Sequence, residues 1–373
     1  MSAVHRLCTA AIAAGAAAGL AIAPAAQALA SPHSSFIGQF HKLKTLASTV
    51  PHNGDVNPYG TVVIRQSRGR LHAGDVLISN FNNKANLQGT GKTIVEISPS
   101  GHRTLFASIG KLPGACPGGV GLSTALAVLP GGWVVVGSTP STNGMASTAK
   151  AGCLIVLGSR GRVRETISGH GINGPWDATS LNLGARHAEL FVTNVLNGTV
   201  AANGAVVHRG TVLRLLLRVF RHRPPQLQAV TKIGSGFAEQ TNAAAFVFGP
   251  TGVGLGRDDT LYVADTQANR ITAIRHAAVR NTSAGTGSVL THGGALSNPL
   301  GLAIAPNADV LTVNGNNGKI VETTPGGTQI ATKLLDSSGS PKGAGALFGL
   351  AVAPFGHGVY YVDDAVNTLR LLH

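Results

Sequence analysis

Residues 250 to 270 read Pro-Thr-Gly-Val-Gly-Leu-Gly-Arg-Asp-Asp-Thr-Leu-Tyr-Val-Ala-Asp-Thr-Gln-Ala-Asn-Arg. An apolar run leads into a Gly/Asp turn, a β-branched and aromatic run follows, and a turn of Asp, Gln and Asn ends the stretch. This order predicts two antiparallel strands joined by a hairpin. The pattern recurs from Pro299 to Asn314, over the same interval that separates Pro250 from Asp265. The chain is therefore predicted to consist of repeated hairpins.

Four further copies of this hairpin can be found along the chain. They begin at Ser123-Thr124-Ala125, Pro58-Tyr59-Gly60, Pro175-Trp176-Asp177 and Leu347-Phe348-Gly349. Each of the six copies continues with a third apolar run, and the first five continue with a fourth. Four short strands in each unit of this length are typical of a β-propeller blade. We predict an all-β, six-bladed β-propeller, with blades at about 53–110, 114–169, 172–234, 247–291, 296–337 and 345–373.

The two ends of the chain complement each other in this arrangement. The sixth unit ends at His373, directly after its third strand, and so lacks an outer strand. Residues 36–50, which include Phe40, Leu43, Leu46 and Val50, precede the first unit and have no blade of their own. We predict that this N-terminal segment is the fourth strand of the last blade and closes the ring, so that no sheet edge is left open.

Residues 1–30 have the pattern of a secretory signal peptide. One Arg and one His near the start are followed by an apolar run from Ala10 to Pro24 and by small-x-small cleavage motifs that end at Ala28 and Ala30. No later run is long enough to span a bilayer, so no transmembrane segment is expected in the mature chain. We predict a single exported domain, residues 31–373, in the periplasm or secreted. Cys116 and Cys153 are its only thiols, and we expect them to form a disulfide in that compartment.

The chain is basic, with 29 Lys and Arg against 15 Asp and Glu. Such a surface favours anionic partners, for example lipid, polysaccharide or nucleic acid, although a high net charge can also serve solubility alone. The densest basic tract lacks the interleaved aromatic residues of a single-stranded nucleic-acid platform, so specific nucleic-acid binding is not expected. A charged edge strand explains this tract equally well. It comprises Arg214, Arg218, Arg221, His222 and Arg223.

The passage Val-Ala-Asp-Thr-Gln-Ala-Asn-Arg-Ile, from Val263 to Ile271, resembles the signature of NHL-repeat propellers. The six-blade layout is similar to that of gluconolactonase and regucalcin-like enzymes, strictosidine synthase-like proteins and the peptide-amidating lyase. The similarity in architecture covers nearly all of residues 31–373, whereas only the fourth blade matches the motif well. The resemblance therefore implies the fold more strongly than any activity.

The second strand of each blade ends in a polar residue. In a propeller, the ends of these strands lie on the same face as the connections between blades, which is where ligands usually bind. Asn and Asp there could bind a ligand together, or each could simply cap its own turn. The loops that follow are long and polar in the first three blades, as binding loops often are. The residues are Asn80, Ser138, Asn194, Asp265, Asn314 and Asp363, of which the five Asn and Asp are candidate ligand-binding residues.

Gluconolactonase-like propellers bind a divalent cation through Asn and Asp at the middle position of the triplet that opens each inner strand. The matching residues here are Tyr59, Thr124, Trp176, Thr251, Leu300 and Phe348. None offers a carboxylate or an amide, so the resemblance does not extend to a calcium cage. Tyr59, Trp176 and Phe348 instead predict an apolar floor for a small-molecule pocket, unless they only pack the core. Asp177 is the one acid beside them.

Three histidines recur in the links that lead into alternate blades. His52, His170 and His292 precede the first, third and fifth blades, each with Gly close behind. Three imidazoles could hold zinc with an open coordination position, which is the arrangement of a catalytic site. The alternative is that they are turn residues near the rim of the ring, too far apart to share an ion.

The sequence leaves the question of enzyme activity open. It contains no nucleophile elbow or phosphate loop, and its few carboxylates have no visible catalytic partner. The preferred hypothesis is an exported binding module without a cofactor, which binds a small molecule, an envelope polymer or a protein at the loop-walled face. The alternative is a metal-assisted hydrolase or lyase at the same face, with zinc or calcium.

Overall fold

The structure, a computed structural model, describes residues 33–243 and 245–373. The predicted signal peptide at residues 1–30 lies outside these ranges. From Ser35 to His373 the chain is an all-β, six-bladed β-propeller made of six antiparallel sheets. The first strand of every sheet contacts the first strands of both neighbouring sheets, so the six inner strands form a ring. No helix in the described part of the chain combines the length and the apolar character that a membrane span requires.

The first three blades contain the longest connections between the second and third strands. From axis to rim, the first blade consists of β2 (Val56–Val63), β3 (Val76–Asn82), β4 (Thr93–Ile97) and β5 (Arg103–Ser108). The second consists of β6 (Leu122–Leu129), β7 (Trp133–Ser138), β8 (Cys153–Leu157) and β9 (Val163–Ile167). The third consists of β10 (Gly174–Asn182), β11 (His187–Val195), β12 (Val207–Arg218), β13 (Gln226–Asn242) and β14 (Phe246–Phe248).

The other three blades are shorter and more regular. The fourth consists of β15 (Pro250–Leu255), β16 (Leu261–Asp265), β17 (Arg270–Ile274) and β18 (Ser288–His292). The fifth consists of β19 (Pro299–Ile304), β20 (Val310–Asn314), β21 (Lys319–Thr323) and β22 (Gln329–Leu334). The sixth consists of β23 (Leu347–Val352), β24 (Val359–Asp363), β25 (Thr368–Leu372) and the N-terminal β1 (Leu43–Ser48). Single 3-10 turns occur at Ile37–Gln39, Pro130–Gly132, Ala146–Thr148 and Pro354–Gly356.

The third blade differs from the predicted four-strand unit. Its outer strand β13 continues for three residues beyond the pairing of Glu239 with Val207, the first residue of β12, and the chain then folds back into a fifth strand, β14. Two residues of β14, Phe246 and Val247, are buried, so the extension serves to bring apolar side chains into the core. A strand count based on repeat length alone does not detect such an insertion.

The N-terminal segment lies against the last two blades. β1 pairs antiparallel with β25, with a bulge between Thr45 and Ala47. Ahead of it, Phe36, Ile37 and Phe40 are buried among apolar residues of the fifth and sixth blades. The predicted segment 36–50 is therefore part strand and part buried 3-10 turn.

The Gly of the repeated Pro-x-Gly triplet has a packing role. A Cβ atom at Gly252, Gly301 or Gly349 would collide with a backbone carbonyl of the next inner strand. These glycines let adjacent inner strands approach closely at the narrow centre of the ring. Side-chain hydroxyls then donate hydrogen bonds across four blade boundaries to the next inner strand. The pairs are Ser79 to Ser123 O, Ser123 to Pro175 O, Thr193 to Thr251 O and Thr266 to Pro299 O.

Candidate functional site

The predicted apolar floor exists as a packed aromatic cluster. The Tyr59 ring stacks on Phe348 at 4.1 Å between centroids and lies 6.0 Å from Trp176. Phe81 stacks on the other side of Tyr59 at 4.6 Å, and Phe246 meets Phe81 edge to face at 5.3 Å. All five rings are at most 5% exposed. The structure therefore brings Tyr59, Trp176 and Phe348 together, but they fill the centre of this face and do not line an open pocket.

Two of these rings were not identified from the sequence. Phe81 directly follows Asn80, and Phe246 comes from the inserted strand β14. Ala146, in the loop of residues 139–152, also packs on the cluster. This loop is held over the centre by its neighbour, because Ser141 N donates to Gly89 O. The loops predicted to wall the mouth therefore lie across it.

The polar residues that end the second strands do not line the opening. Asn80, Asn194, Asp265, Asn314 and Asp363 are all fully buried. Each makes its side-chain hydrogen bonds within its own blade or with the link that leads into that blade. The capping role that the sequence left as an alternative thus matches their placement, and Ser138 does the same by donating to Gly119 O.

The amide residues and the acids use different partners. Asn194 Nδ2 donates to Gly171 O and to Thr211 Oγ1, and its Oδ1 accepts from Asn173 N. Asn80 and Asn314 likewise donate to a carbonyl of the preceding link. The two acids form ion pairs with an arginine on the third strand, each at 2.8 Å. These pairs are Asp265 with Arg270 and Asp363 with Arg370.

Asp177 occupies the triplet position that is Gly in four of the other blades. Its carboxylate accepts from Ala178 N and, across the blade boundary, from Val253 N. Burial raises the pKa of Asp177 to about 7, although these two hydrogen bonds oppose the shift. This carboxylate therefore acts as a connection between the third and fourth inner strands.

The Tyr59 hydroxyl and the Asp364 carboxyl group interact at the edge of the aromatic cluster. Burial and the nearby Asp364 carboxylate raise the pKa of Tyr59, whereas a hydrogen bond with Asn57 opposes the rise. Burial, together with the charge of Asp363, raises the pKa of Asp364 to about 7. The Tyr59 hydroxyl thus faces a partly buried carboxyl group at the edge of the packed rings.

Cys116 and Cys153 are joined by a disulfide, with their Cα atoms 5.2 Å apart. Cys153 begins β8 and is fully buried, and Cys116 lies in the link that leads into the second blade. Gly118 N also donates to Ala151 O at 2.8 Å. The disulfide therefore holds the base of the loop 139–152, which covers the aromatic cluster.

The three recurring histidines are not brought together. His52, His170 and His292 are all exposed, and His292 ends the outermost strand of its blade. Within residues 33–243 and 245–373, the one group of three metal-ligating side chains whose ligand atoms lie within 4.8 Å of one another is His72, Asp75 and Glu96. The three histidines form no such group, and neither do Asp177, Asp265 and Asp363, the acids among the predicted site residues.

The His72 group was not identified from the sequence, because its members are separated by a strand. His72 Nδ1 lies 2.9 Å from Glu96 Oε1, and the same oxygen accepts from His72 N at 2.8 Å. Burial raises the pKa of Glu96, and its contacts with His72 oppose the rise. These contacts satisfy the Glu96 carboxylate within the protein. His72 and Asp75 lie in the turn between β2 and β3 and Glu96 lies on β4, so the group is on the face opposite the long loops.

An open cavity of about 430 Å³ lies on the loop-walled face of the third blade. The link into this blade, the loop after β11 and the first residues of β12 form its wall, and β13 forms its outer side. His170 is the one predicted site residue in the lining, and the buried Asn194 donates hydrogen bonds to Gly171 O and Thr211 Oγ1 behind it. The polar residues of the lining are His170, Asn173, Asn197, Arg209, Thr211 and Lys232.

The cavity carries two cations. Arg209 and Lys232 are exposed, and no carboxylate in the described ranges forms an ion pair with either. Gly198 leaves room for Arg209, because a Cβ atom there would lie 3.0 Å from its guanidinium. Glu239, which interacts electrostatically with Arg209, is fully buried and accepts from Asn197 N. Burial raises the pKa of Glu239 to about 7, with the hydrogen bonds of Asn197 and the charge of Arg209 opposing.

Neither a protein-family profile nor a characterised protein sequence matches this chain. Solved structures do match it. A gluconolactonase from Xanthomonas campestris is 13% identical, covers 88% of each chain and has a TM-score of 0.52. Regucalcin from Agrobacterium tumefaciens is 12% identical, covers 88% of this chain and 93% of its own, and has a TM-score of 0.53. A streptogramin B lyase is 16% identical, covers 91% of this chain and 99% of its own, and has a TM-score of 0.50.

These similarities extend over nearly the whole described chain, at identities that show the fold alone. The blade count, the order of strands in each sheet and the ring of inner strands agree with them. In fold, the chain is a six-bladed β-propeller of the kind found in gluconolactonase and regucalcin.

Proposed function

We propose that this protein is exported, that β1 closes its ring, and that it is a binding module whose ligand is a small organic oxyanion. The ligand carries a carboxylate or phosphate group and binds in the cavity of the third blade on the loop-walled face. The observation that carries this proposal is the pair of exposed cations, Arg209 and Lys232, in one open cavity, neither of which forms an ion pair with a carboxylate of the described residues.

The chemistry of the lining supports an anionic ligand. Arg presents a planar fork of donors that matches a carboxylate or phosphate, and Lys adds a second positive charge. Thr211 and the two asparagines provide neutral polar groups, as small-molecule sites commonly do to fix orientation. Asn197 is held in place, because its Nδ2 donates to Asn194 O and its Oδ1 accepts from Asn173 Nδ2. The site is therefore built before the ligand arrives.

The position of the cavity, beside the axis of the ring, favours ligand binding over a purely structural role. The centre of the same face is filled by the aromatic cluster, so a ligand is accommodated beside the axis and not on it. The metal-assisted alternative would need ligands other than three close His, Cys, Asp or Glu side chains, because the described residues offer no such group on this face.

The test is isothermal titration calorimetry with three probes: glucose 6-phosphate, gluconate and glucose. We expect glucose 6-phosphate or gluconate to bind and uncharged glucose not to bind. Arg209→Gln and Lys232→Ala should each weaken binding by about 10-fold to 100-fold, since one charge-assisted hydrogen bond contributes about 1.5–3 kcal/mol.

Lys44→Ala is the matched control, because Lys44 is an exposed lysine on β1, away from the cavity. It removes the same charge and should leave the affinity unchanged. If Lys44→Ala and Lys232→Ala weakened anion binding equally, the effect would come from net charge alone, and this would contradict the proposal. Equal affinity for glucose and glucose 6-phosphate, or heat from neither anion at millimolar concentration, would contradict it as well.

A further inference from the structure

We infer that the face opposite the long loops is a docking surface for an anionic phospholipid bilayer. This face is formed by the turns between the first and second strands and between the third and fourth strands of each blade. It is distinct from the cavity of the third blade, which opens on the other side of the ring.

Arginine is concentrated on one half of this face. The turns of the first three blades carry nine exposed arginines and a single carboxylate, that of Asp75. The turns of the last three blades are mixed, with Arg257, Arg275 and Arg280 against three aspartates. The nine arginines are Arg65, Arg68, Arg70, Arg160, Arg162, Arg186, Arg218, Arg221 and Arg223.

These turns form one continuous surface. Arg70 N donates to Ser159 O at 2.8 Å, which joins the first blade to the second. Trp133 Nε1 donates to Phe220 O at 2.8 Å, which joins the second blade to the third. No carboxylate among the described residues forms an ion pair with any of the nine arginines. The positive charges are therefore adjacent and uncompensated.

Two of the guanidinium groups are held by an aromatic ring. Arg218 lies 5.2 Å and Arg223 3.8 Å from the centroid of Phe220. Stacking on the ring leaves the donor edges of both guanidinium groups available, and their fork geometry suits phosphate oxygens. The same stacking occupies the ring, so Phe220 is not free to stack on a nucleic-acid base.

Apolar side chains project from the same face on the third, fourth and sixth blades. Phe355, at the tip of the Pro354–Gly356 turn of the sixth blade, is 95% exposed. Val279, between β17 and β18, is 69% exposed, and Leu183, between β10 and β11, is 45% exposed. A soluble polyanion gives such side chains no environment to enter. A bilayer does, because apolar tips insert at the headgroup boundary while basic residues neutralise the anionic surface.

The arginines and the exposed apolar side chains together distinguish a lipid surface from a soluble polyanion. Phosphate is common to lipid headgroups and to soluble polyanions, and the arginines alone would fit both. The exposed Phe355, Val279 and Leu183 favour the lipid, and Phe355 and Val279 extend the contact beyond the charged half of the face.

The experiment is flotation of the full chain with vesicles of phosphatidylcholine and phosphatidylglycerol, compared with pure phosphatidylcholine vesicles. The N-terminal residues are the same in every variant, so their contribution cancels in the comparison. We expect binding that requires phosphatidylglycerol and falls with added salt. The triple variant Arg218→Glu, Arg221→Glu, Arg223→Glu should lose about 100-fold in partitioning, at roughly fivefold for each basic residue removed from an anionic surface.

The matched control reverses three exposed lysines in the loops of the other face: Lys84→Glu, Lys150→Glu, Lys319→Glu. The change in net charge is the same, and partitioning should fall much less. Equal losses in the two triple variants would overturn the assignment of the surface. Circular dichroism of both variants checks that the propeller is folded.

Phe355→Trp provides a direct measurement of insertion. Its fluorescence should shift to shorter wavelength on addition of phosphatidylglycerol vesicles and should stay unchanged with heparin, a soluble polyanion. Two results together would overturn the membrane proposal and indicate a polymer-binding surface. Heparin would compete fully with vesicles for the protein, and the fluorescence of the Phe355→Trp variant would not shift on addition of vesicles. Equal binding to pure phosphatidylcholine would overturn it too.

Discussion

The Asp177 carboxylate accepts a hydrogen bond from the backbone N–H of Val253, 3.1 Å away, and so joins the inner strands of the third and fourth blades. At the equivalent position of most blades a glycine allows the strands to approach directly. The third blade instead uses a buried ionisable group at a boundary close to the axis. The presence of Asp177 at this position makes the stability of the ring sensitive to pH.

The stability of the protein should fall as pH rises from about 4 to above 7. The pKa of folded Asp177, about 7, exceeds the unfolded value near 4, so the folded state holds the extra proton between these limits. The stabilisation is complete below pH 4 and is lost as pH rises through 7. A difference of this size corresponds to about 4 kcal/mol at most. Asp177→Asn should remove this contribution to the pH dependence of the free energy of unfolding. Urea unfolding measured at several pH values checks it.

The control for this prediction is Asp258→Asn, which changes the formal charge equally at an exposed turn residue. It should retain the slope of the unaltered protein. Glu239 and Asp364, whose pKa values burial also raises to about 7, remain in both variants and leave a residual slope of the same sign. An Asp177→Asn protein with the full original slope would contradict the prediction.

Glu322 has the opposite dependence. Its carboxylate on β21 accepts from the backbone N–H groups of Phe36 and Ile37, at 2.6 and 2.8 Å, and from the Ser35 hydroxyl. Burial alone would raise the pKa of Glu322, but the hydrogen bonds with Asp309, Ser35, Phe36 and Ile37 outweigh it, and the pKa is lowered. The stabilisation is therefore present above the unfolded pKa near 4.5 and is lost as pH falls through the folded value.

Glu322→Gln should destabilise the protein at pH 7 by about 1.5–3 kcal/mol, the usual range for hydrogen bonds to a charged group. The difference from the unaltered protein should shrink as pH falls below 4.5. Hydrogen exchange should show faster exchange at the amides of Phe36 and Ile37, because their acceptor has lost its charge. Glu165→Gln, which changes a carboxylate that bonds only to its neighbour's backbone N–H, should have little effect. A Glu322→Gln protein with unchanged exchange at both amides would contradict the assigned role.

The repeated hairpin was sufficient to predict the six blades, because interval and turn chemistry are local properties of the chain. The interval from Pro250 to Asp265 is imposed by two short strands and one turn, so it recurs wherever a blade recurs. The same reasoning could not find β14, since Phe246 to Phe248 extends a blade without adding a repeat. It also could not show that the Asn80 and Asp265 side chains are buried away from the opening, because side-chain direction depends on partners that only the folded structure identifies, Thr49 for Asn80 and Arg270 for Asp265.

The candidate cavity was only partly predictable for a related reason. His170 and Asn194 were recognised as polar residues near blade openings, whereas Arg209 and Lys232 lie on two adjacent strands and converge only through their pairing. The arginine surface was visible as a basic tract on one strand. Its extension over three blades follows from turns that are distant in sequence, so the charge of the tract alone could not reveal it.

The disulfide between Cys116 and Cys153 should stabilise the ring and the loop that covers its aromatic cluster. The two residues are 37 apart in sequence, and closing a loop of this length stabilises a protein by at most about 4 kcal/mol in the chain-entropy account. The double variant Cys116→Ala, Cys153→Ala should therefore unfold at a lower urea concentration, and the amides of residues 139–152 should exchange faster. Reductant should shift the unaltered protein in the same direction and leave the double variant unchanged. If the unaltered protein keeps its unfolding midpoint after both thiols are shown to be free, the loop is held by its backbone hydrogen bonds, such as Lys150 N to Pro140 O, and not by the disulfide.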